Sequence, residues 1–229
     1  MSIISVKLQA VHARIDAAVQ QYGRVPGSVT LLSVSKTCSV QQVEEAVAAG
    51  QQAFGENYAQ EGLAKALALA PLGLTWHFVG PVQSNKSRKI SETFDWVHSV
   101  DRLKIAERLA AQRPTTLAPL QVCLQVNLDD EKSKAGVSLS EVSTVARQIV
   151  QLPRLRLRGL MAIPAPCHDF SQQRQRFRLL HEAYEALKYA GLPLDTLSMG
   201  MTNDLEAAIA EGATLVRVGS AIFGERKTL

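Results

Sequence analysis

The chain has 229 residues, 46% of them hydrophobic, with a mean hydropathy of +0.01. That length suits one large α/β domain or barrel, and the apolar content excludes an intrinsically disordered chain. A net charge of +4 arises from 25 basic and 21 acidic residues mixed along the sequence, which leaves no concentrated stripe for nucleic acid.

From the N-terminus, Met1 to Tyr22 reads as an amphipathic helix. It carries charges and lacks the basic start and apolar core of a signal peptide. "TLLSVSK" (30–36) reads as a strand, and "SVQQVEEAVAAG" (39–50) as a helix capped by Ser39 and closed by Gly50. "QAFGEN" (52–57) is the second strand, followed by a helix through "AQEGLAKALALA". "LTWHFVG" (74–80) is the third, and a basic helix starts near Ser84. Its "NKSRKISE" run, with Lys86, Arg88 and Lys89, reads as a solvated helix face. "DWVHSV" (95–100) is the fourth strand, and Asp101 is placed to cap the helix after it. "LQVCLQVNL" (120–128) is a strand, and 138–152 a helix. "LRLRGLMAI" (155–163) is a strand, and Phe170 to Ala190 a long helix. "DTLSMG" (195–200), a helix over 202–212, "TLVRVGS" (214–220) and a short helix over 221–226 complete the chain.

Eight strands, each followed by a helix, imply parallel strands with helical crossovers. Eight such units predict one closed (β/α)₈ barrel of TIM type over residues 1–229, with an extra N-terminal helix. An open doubly wound sheet would often place a glycine fingerprint after its first strand, where this chain has "SVSKTCS". Three cysteines, Cys38, Cys123 and Cys167, fit neither a disulfide framework nor a zinc pattern, which points to a reducing cytoplasm. No apolar run is long enough to span a membrane.

Barrel sites lie at the C-terminal strand ends, so their residues can be named. Lys36 closes the first strand. It is either a solvated charge at a strand end or an amine placed to form a Schiff base with a carbonyl compound. Asn57 closes the second. Ser198, Met199 and Gly200, with Thr202 beyond them, close the seventh; Arg217, Gly219 and Ser220 close the eighth. The last two loops each join small residues and hydroxyls to a helix start, which reads as phosphate binding or as ordinary capping. Arg217 sits between two valines, so it either pairs with a core carboxylate such as Glu56 or lines a ligand pocket. A lysine and an arginine at one mouth, beside a phosphate site, suit a phosphorylated aldehyde.

"LLSVSKT", "FGENYAQE", "WHFVGPVQSNKSRK", "LMAI" and "LSMGMTNDLEAAIAEGATLVRVGSAIFG" together resemble the pyridoxal phosphate homeostasis protein family, over nearly the whole chain. The resemblance implies the alanine racemase N-terminal barrel and pyridoxal 5′-phosphate (PLP) as the cofactor. It implies that Lys36 holds PLP as an aldimine and that Arg217 faces the pyridine nitrogen. Ser198 and Thr202, with the backbone at Gly219 and Ser220, would hold the phosphate, in the loop that carries Met199 and Gly200. Asn57 matches a polar residue on the cofactor's side. The family has no established turnover and is implicated in vitamin B6 balance. The expected role is therefore that of a PLP carrier or regulator, with PLP-dependent apoenzymes as recipients, no nucleic-acid or membrane partner, and no catalytic or metal-binding residue.

The alternative is a PLP-dependent racemase-like enzyme. Racemases of this fold add a β-domain that supplies a tyrosine base from the partner subunit, and this chain ends at Leu229, just after the barrel. The same absence leads to the expectation of a monomer. A Schiff-base aldolase acting on sugar phosphates is a third reading. One departure from the family pattern matters: many members carry a basic residue two positions after the lysine, where this chain has Cys38. A relay of the cofactor through a second amine at that place is in doubt.

Overall fold

The computed structural model describes residues 2–129 and 135–224. Its eight parallel strands are β1 (Thr30–Val34), β2 (Ala53–Glu56), β3 (Thr75–Phe78), β4 (Trp96–Val100), β5 (Leu120–Gln125), β6 (Leu155–Met161), β7 (Thr196–Ser198) and β8 (Leu215–Val218). They pair in chain order, and β8 returns to β1 through the register Thr30↔Leu215 to Ser33↔Val218, so the sheet closes into a barrel. The predicted (β/α)₈ architecture is the one observed.

Helix α1 (Ile3–Gln21) precedes the barrel, and α2 (Val40–Ala48), α3 (Ala59–Ala68), α4 (Ser87–Thr93), α5 (Leu103–Gln112), α6 (Val142–Ile149), α7 (Phe170–Tyr189), α8 (Leu205–Ala210) and α9 (Ser220–Phe223) follow successive strands. Local chemistry sets several of their starts. Ser2 caps α1, Asp169 caps α7, and Ser39 with Gln42 forms a reciprocal capping box on α2. Asp101 departs from expectation. Arg102 is the N-cap of α5 without a side-chain bond, and the Asp101 carboxylate instead takes the Arg102 guanidinium at 2.6 Å. Of the expected last helix, residues 225 and 226 lie outside the described residues.

The strands are shorter than their apolar runs suggest. β1 ends at Val34, which puts Lys36 two residues past the ladder; α8 begins at Leu205, which leaves 202–204 as a turn. Strands covered on both faces read as continuous apolar runs, so periodicity alone does not mark where pairing stops.

Burial divides into two regions. The main core lies between sheet and helices and contains Phe54, Phe78, Phe94, Val97, Leu109, Val122 and Val216. A separate, smaller cluster of Leu32, Val79 and Leu215, with Val34 and Ala53 against it, fills one side of the barrel interior. Polar side chains, His98 and Ser198 among them, occupy another part of it. The bond between His98 on β4 and Ser198 on β7 joins strands that are not neighbours and so crosses the barrel. No helix among the described residues is long and apolar enough to cross a membrane.

Candidate functional site

A cavity of about 350 Å³ opens at the C-terminal ends of the strands. Lys36, Asn57, Thr202, Arg217, Gly219 and Ser220 line it, with Asp204 beside them. Its size is that of a small-molecule pocket.

The backbone on both sides of Lys36 is tied down. Ser35 donates its N–H to Gly55 O at 2.9 Å, and its hydroxyl bonds Glu56 at 2.6 Å. Lys65 Nζ bonds Ser35 O at 2.6 Å and pairs with both Glu56 (2.8 Å) and Glu61 (2.6 Å). Thr37 has a φ of 66°, a left-handed conformation that a β-branched residue rarely adopts, and its N–H donates to Glu61 at 2.6 Å. An ion triad from β2 and α3, with Glu56 and Lys65 buried and Glu61 partly exposed, therefore fixes the turn that carries Lys36. Cys38 does not line the cavity; its thiol lies 3.8 Å from Lys36 O.

Arg217 is buried at the inner wall. Its Nη1 donates to Ser198 O at 2.8 Å and Ser198 Oγ at 2.7 Å, and its Nη2 to Ala162 O at 2.9 Å. All three acceptors are neutral. Burial pushes the guanidinium down to about 10, so it remains a cation at neutral pH, and Asp204 acts against that shift from a distance. Of the two sequence alternatives for Arg217, the structure takes the pocket: the carboxylate of Glu56 belongs to Lys65 and Ser35. A buried cation that meets no carboxylate among the described residues favours an anionic or electron-rich ligand.

The hydroxyls of Thr202 and Ser220 stand 3.1 Å apart at the other edge of the cavity. Ser220 opens α9, where backbone N–H groups have no partner within the helix. Arg14 on α1 donates to Thr202 O at 3.0 Å and pairs with Glu206, which braces this loop from behind.

Three residues expected at the cofactor stand behind the cavity wall. Ser198 is fully buried, and its hydroxyl is committed to Arg217 and to His98 Nδ1 at 2.8 Å. On a three-residue strand the alternation turns it into the barrel, below the mouth. Met199 joins the main core. Gly200 accepts the Arg217 N–H at 2.9 Å and adopts a φ of 93°, with Ala208 only 2.6 Å from where a Cβ would stand.

Sequence reasoning missed His77 and His98, which extend the Arg217 network, and Asp204 at the cavity edge. The signal for the histidines was present: each is a lone polar ring inside a strand otherwise built for burial. Cys123 also lies in the interior, where burial pushes its thiol up to about 12 and leaves it inert.

Fold and site together define a TIM-type barrel that offers an amine, a buried guanidinium and a hydroxyl pair at one mouth. Residues 6–227 match the family described as alanine racemase, N-terminal domain. The chain is 56% identical to a pyridoxal phosphate homeostasis protein of Pseudomonas aeruginosa, over 99% of this chain and 97% of that one. It is 51% identical to the pyridoxal phosphate homeostasis protein of Escherichia coli K12, over 99% and 98%. The solved structure of PipY from Synechococcus elongatus with PLP bound superposes with a TM-score of 0.84 at 37% identity, over 96% of this chain and all of PipY. The chain belongs to the alanine racemase N-terminal domain family and, within it, to the pyridoxal phosphate homeostasis proteins.

Proposed function

We propose that this protein binds PLP at the C-terminal mouth of its barrel and serves vitamin B6 homeostasis as a carrier or regulator. The observation that carries this reading is Arg217, a buried cation whose acceptors among the described residues are all neutral, in one cavity with Lys36 and the Thr202–Ser220 hydroxyl pair. The residues fit the group. When bound, PLP would supply an aldehyde, which a primary amine can hold. Among the described residues Lys36 is the amine that lines this cavity, and the turn that presents it is fixed by Glu61 and Lys65. Thr202 and Ser220 hydroxyls, with the first N–H groups of α9, would hold the phosphate. Arg217 would face the ring nitrogen, and Asn57 would stand on the ring's side.

PLP catalysis commonly relies on an acidic partner that keeps the pyridine nitrogen protonated. A guanidinium offers only donors and opposes that proton. The site is therefore a weak electron sink and activates amino acids poorly, which favours transfer of PLP to apoenzymes over turnover. The relatives named above as homeostasis proteins support the same role.

The test is an absorption spectrum of the PLP-loaded protein before and after borohydride, followed by peptide mapping. The reduced adduct is expected on Lys36. Lys36→Ala should lose both the visible band and the adduct while its far-UV circular dichroism stays native. An adduct on a different lysine would overturn the assignment.

A further inference from the structure

Four polar side chains form a row through the barrel interior. His77 Nδ1 lies 2.8 Å from His98 Nε2, His98 Nδ1 lies 2.8 Å from Ser198 Oγ, and Arg217 Nη1 lies 2.7 Å from the same oxygen. None of the four is more than 4% exposed. The upper end, Arg217, lines the candidate site. The lower end, His77, lines a second cavity of about 490 Å³ at the opposite mouth, beside Thr75, Trp96 and Arg158.

Donor counting gives the row a direction. A guanidinium only donates, so Ser198 Oγ accepts from Arg217. The hydroxyl hydrogen of Ser198 then has one acceptor in the row, His98 Nδ1. His98 must carry its proton on Nε2 and donate to His77 Nδ1. His77 in turn carries its proton on Nε2, toward the lower cavity. Every hydrogen bond runs away from Arg217, and both rings are neutral. The opposite tautomers would leave the Ser198 hydrogen without an acceptor in the row.

We infer that His77, His98 and Ser198 are positioning residues that lock Arg217 as a fixed donor toward the ring nitrogen of the bound heterocycle. Two neutral acceptors on Ser198 consume both hydrogens of Nη1, and Ala162 O takes one from Nη2. The guanidinium plane is thereby clamped, and its remaining N–H groups are left for the cavity. Ser198, expected from sequence at the phosphate, acts on the ligand through Arg217 instead. This inference rests on the proposed placement of the pyridine nitrogen at Arg217.

Two measurements test it. The first compares PLP with 1-deazapyridoxal 5′-phosphate, in which C–H replaces the ring nitrogen and the aldehyde and phosphate remain. Wild type should prefer PLP, and Ser198→Ala should weaken PLP binding about tenfold while leaving the deaza analogue unchanged. Equal weakening of both ligands, or of neither, overturns the relay. The second uses ¹⁵N NMR of wild-type protein, which needs no variant to fold. Both imidazoles should show the neutral Nε2–H tautomer at pH 7; an Nδ1–H or cationic ring at either position overturns the assigned direction. The outcomes separate this inference from its parent. A wild type that traps PLP on Lys36 but does not prefer it over the deaza analogue removes the relay and leaves Lys36 standing. A wild type that gives no Lys36 adduct removes the parent reading, while the NMR result still judges the row.

Discussion

Lys65 illustrates how one side chain can hold a site it does not touch. It is 4% exposed, and its ammonium serves Glu56, Glu61 and the Ser35 carbonyl together. Burial raises the Glu56 carboxyl above its usual range, and the bonds to Lys65 and Ser35 act against that rise. Lys65→Met would leave Glu56 buried without its cation, at a cost of about 3–5 kcal/mol. Urea unfolding at pH 7 should show that loss. A group whose folded pKa is raised favours the folded state once it is protonated, so lowering the pH toward that of the carboxyl should recover part of it. The opposite pH trend would mean that Glu56 is not the group exposed by the change. Thr202 and Ser220 pose a separate question at the same scale. Replacing both by alanine should weaken PLP far more than pyridoxal, which lacks the phosphate, when the two are titrated side by side. Equal losses would move the phosphate elsewhere.

Strands β3 and β4 each bring one histidine into the barrel, and the pair makes these elements sensitive to acid. Burial lowers His77 to about 3 and His98 well below 6.5, the latter further opposed by His77 and Arg217. The unfolded chain therefore binds protons that the folded barrel rejects. Stability is full above about 6.5 and falls as the pH drops through the window below it, by up to about 1.4 kcal/mol per pH unit for each histidine. Urea midpoints at pH 7.5 and pH 5.2 should differ accordingly, and His77→Gln should shrink the difference. A wild type equally stable at both values would contradict neutral burial of the pair. β6 and β7 set a different limit. A Cβ at Gly159 would stand 1.6 Å from Thr196 O on β7, so the two backbones meet with no room for a methyl group. Gly159→Ala should prevent closure of the barrel, seen as loss of cooperative thermal unfolding.

At the scale of the molecule, closure of eight strands puts both chain-distant loops, after β7 and β8, against the turn after β1. The resulting mouth offers a buried guanidinium, which at the proposed place of the ring nitrogen would not strengthen an electron sink as a carboxylate would. Loaded protein incubated with single amino-acid enantiomers in deuterated water should exchange the α-proton no faster than free PLP does. Rapid, saturable exchange lost in Lys36→Ala would make the protein an enzyme. The barrel itself was legible in the sequence, because strand and helix periodicities are local and eight units in order leave little other topology. So was the C-terminal side of each strand, though not the residue where pairing stops, which is why Lys36, Asn57, Thr202, Arg217, Gly219 and Ser220 could be named from sequence and prove to share a cavity. The ownership of Glu56 by Lys65, the inward turn of Ser198 and the meeting of His77 with His98 and Ser198 were decided only by the tertiary structure. Periodicity says that alternate residues share a face. Which face turns inward, and which polar groups then meet across the barrel, depends on strand register and on the need of every buried donor for an acceptor.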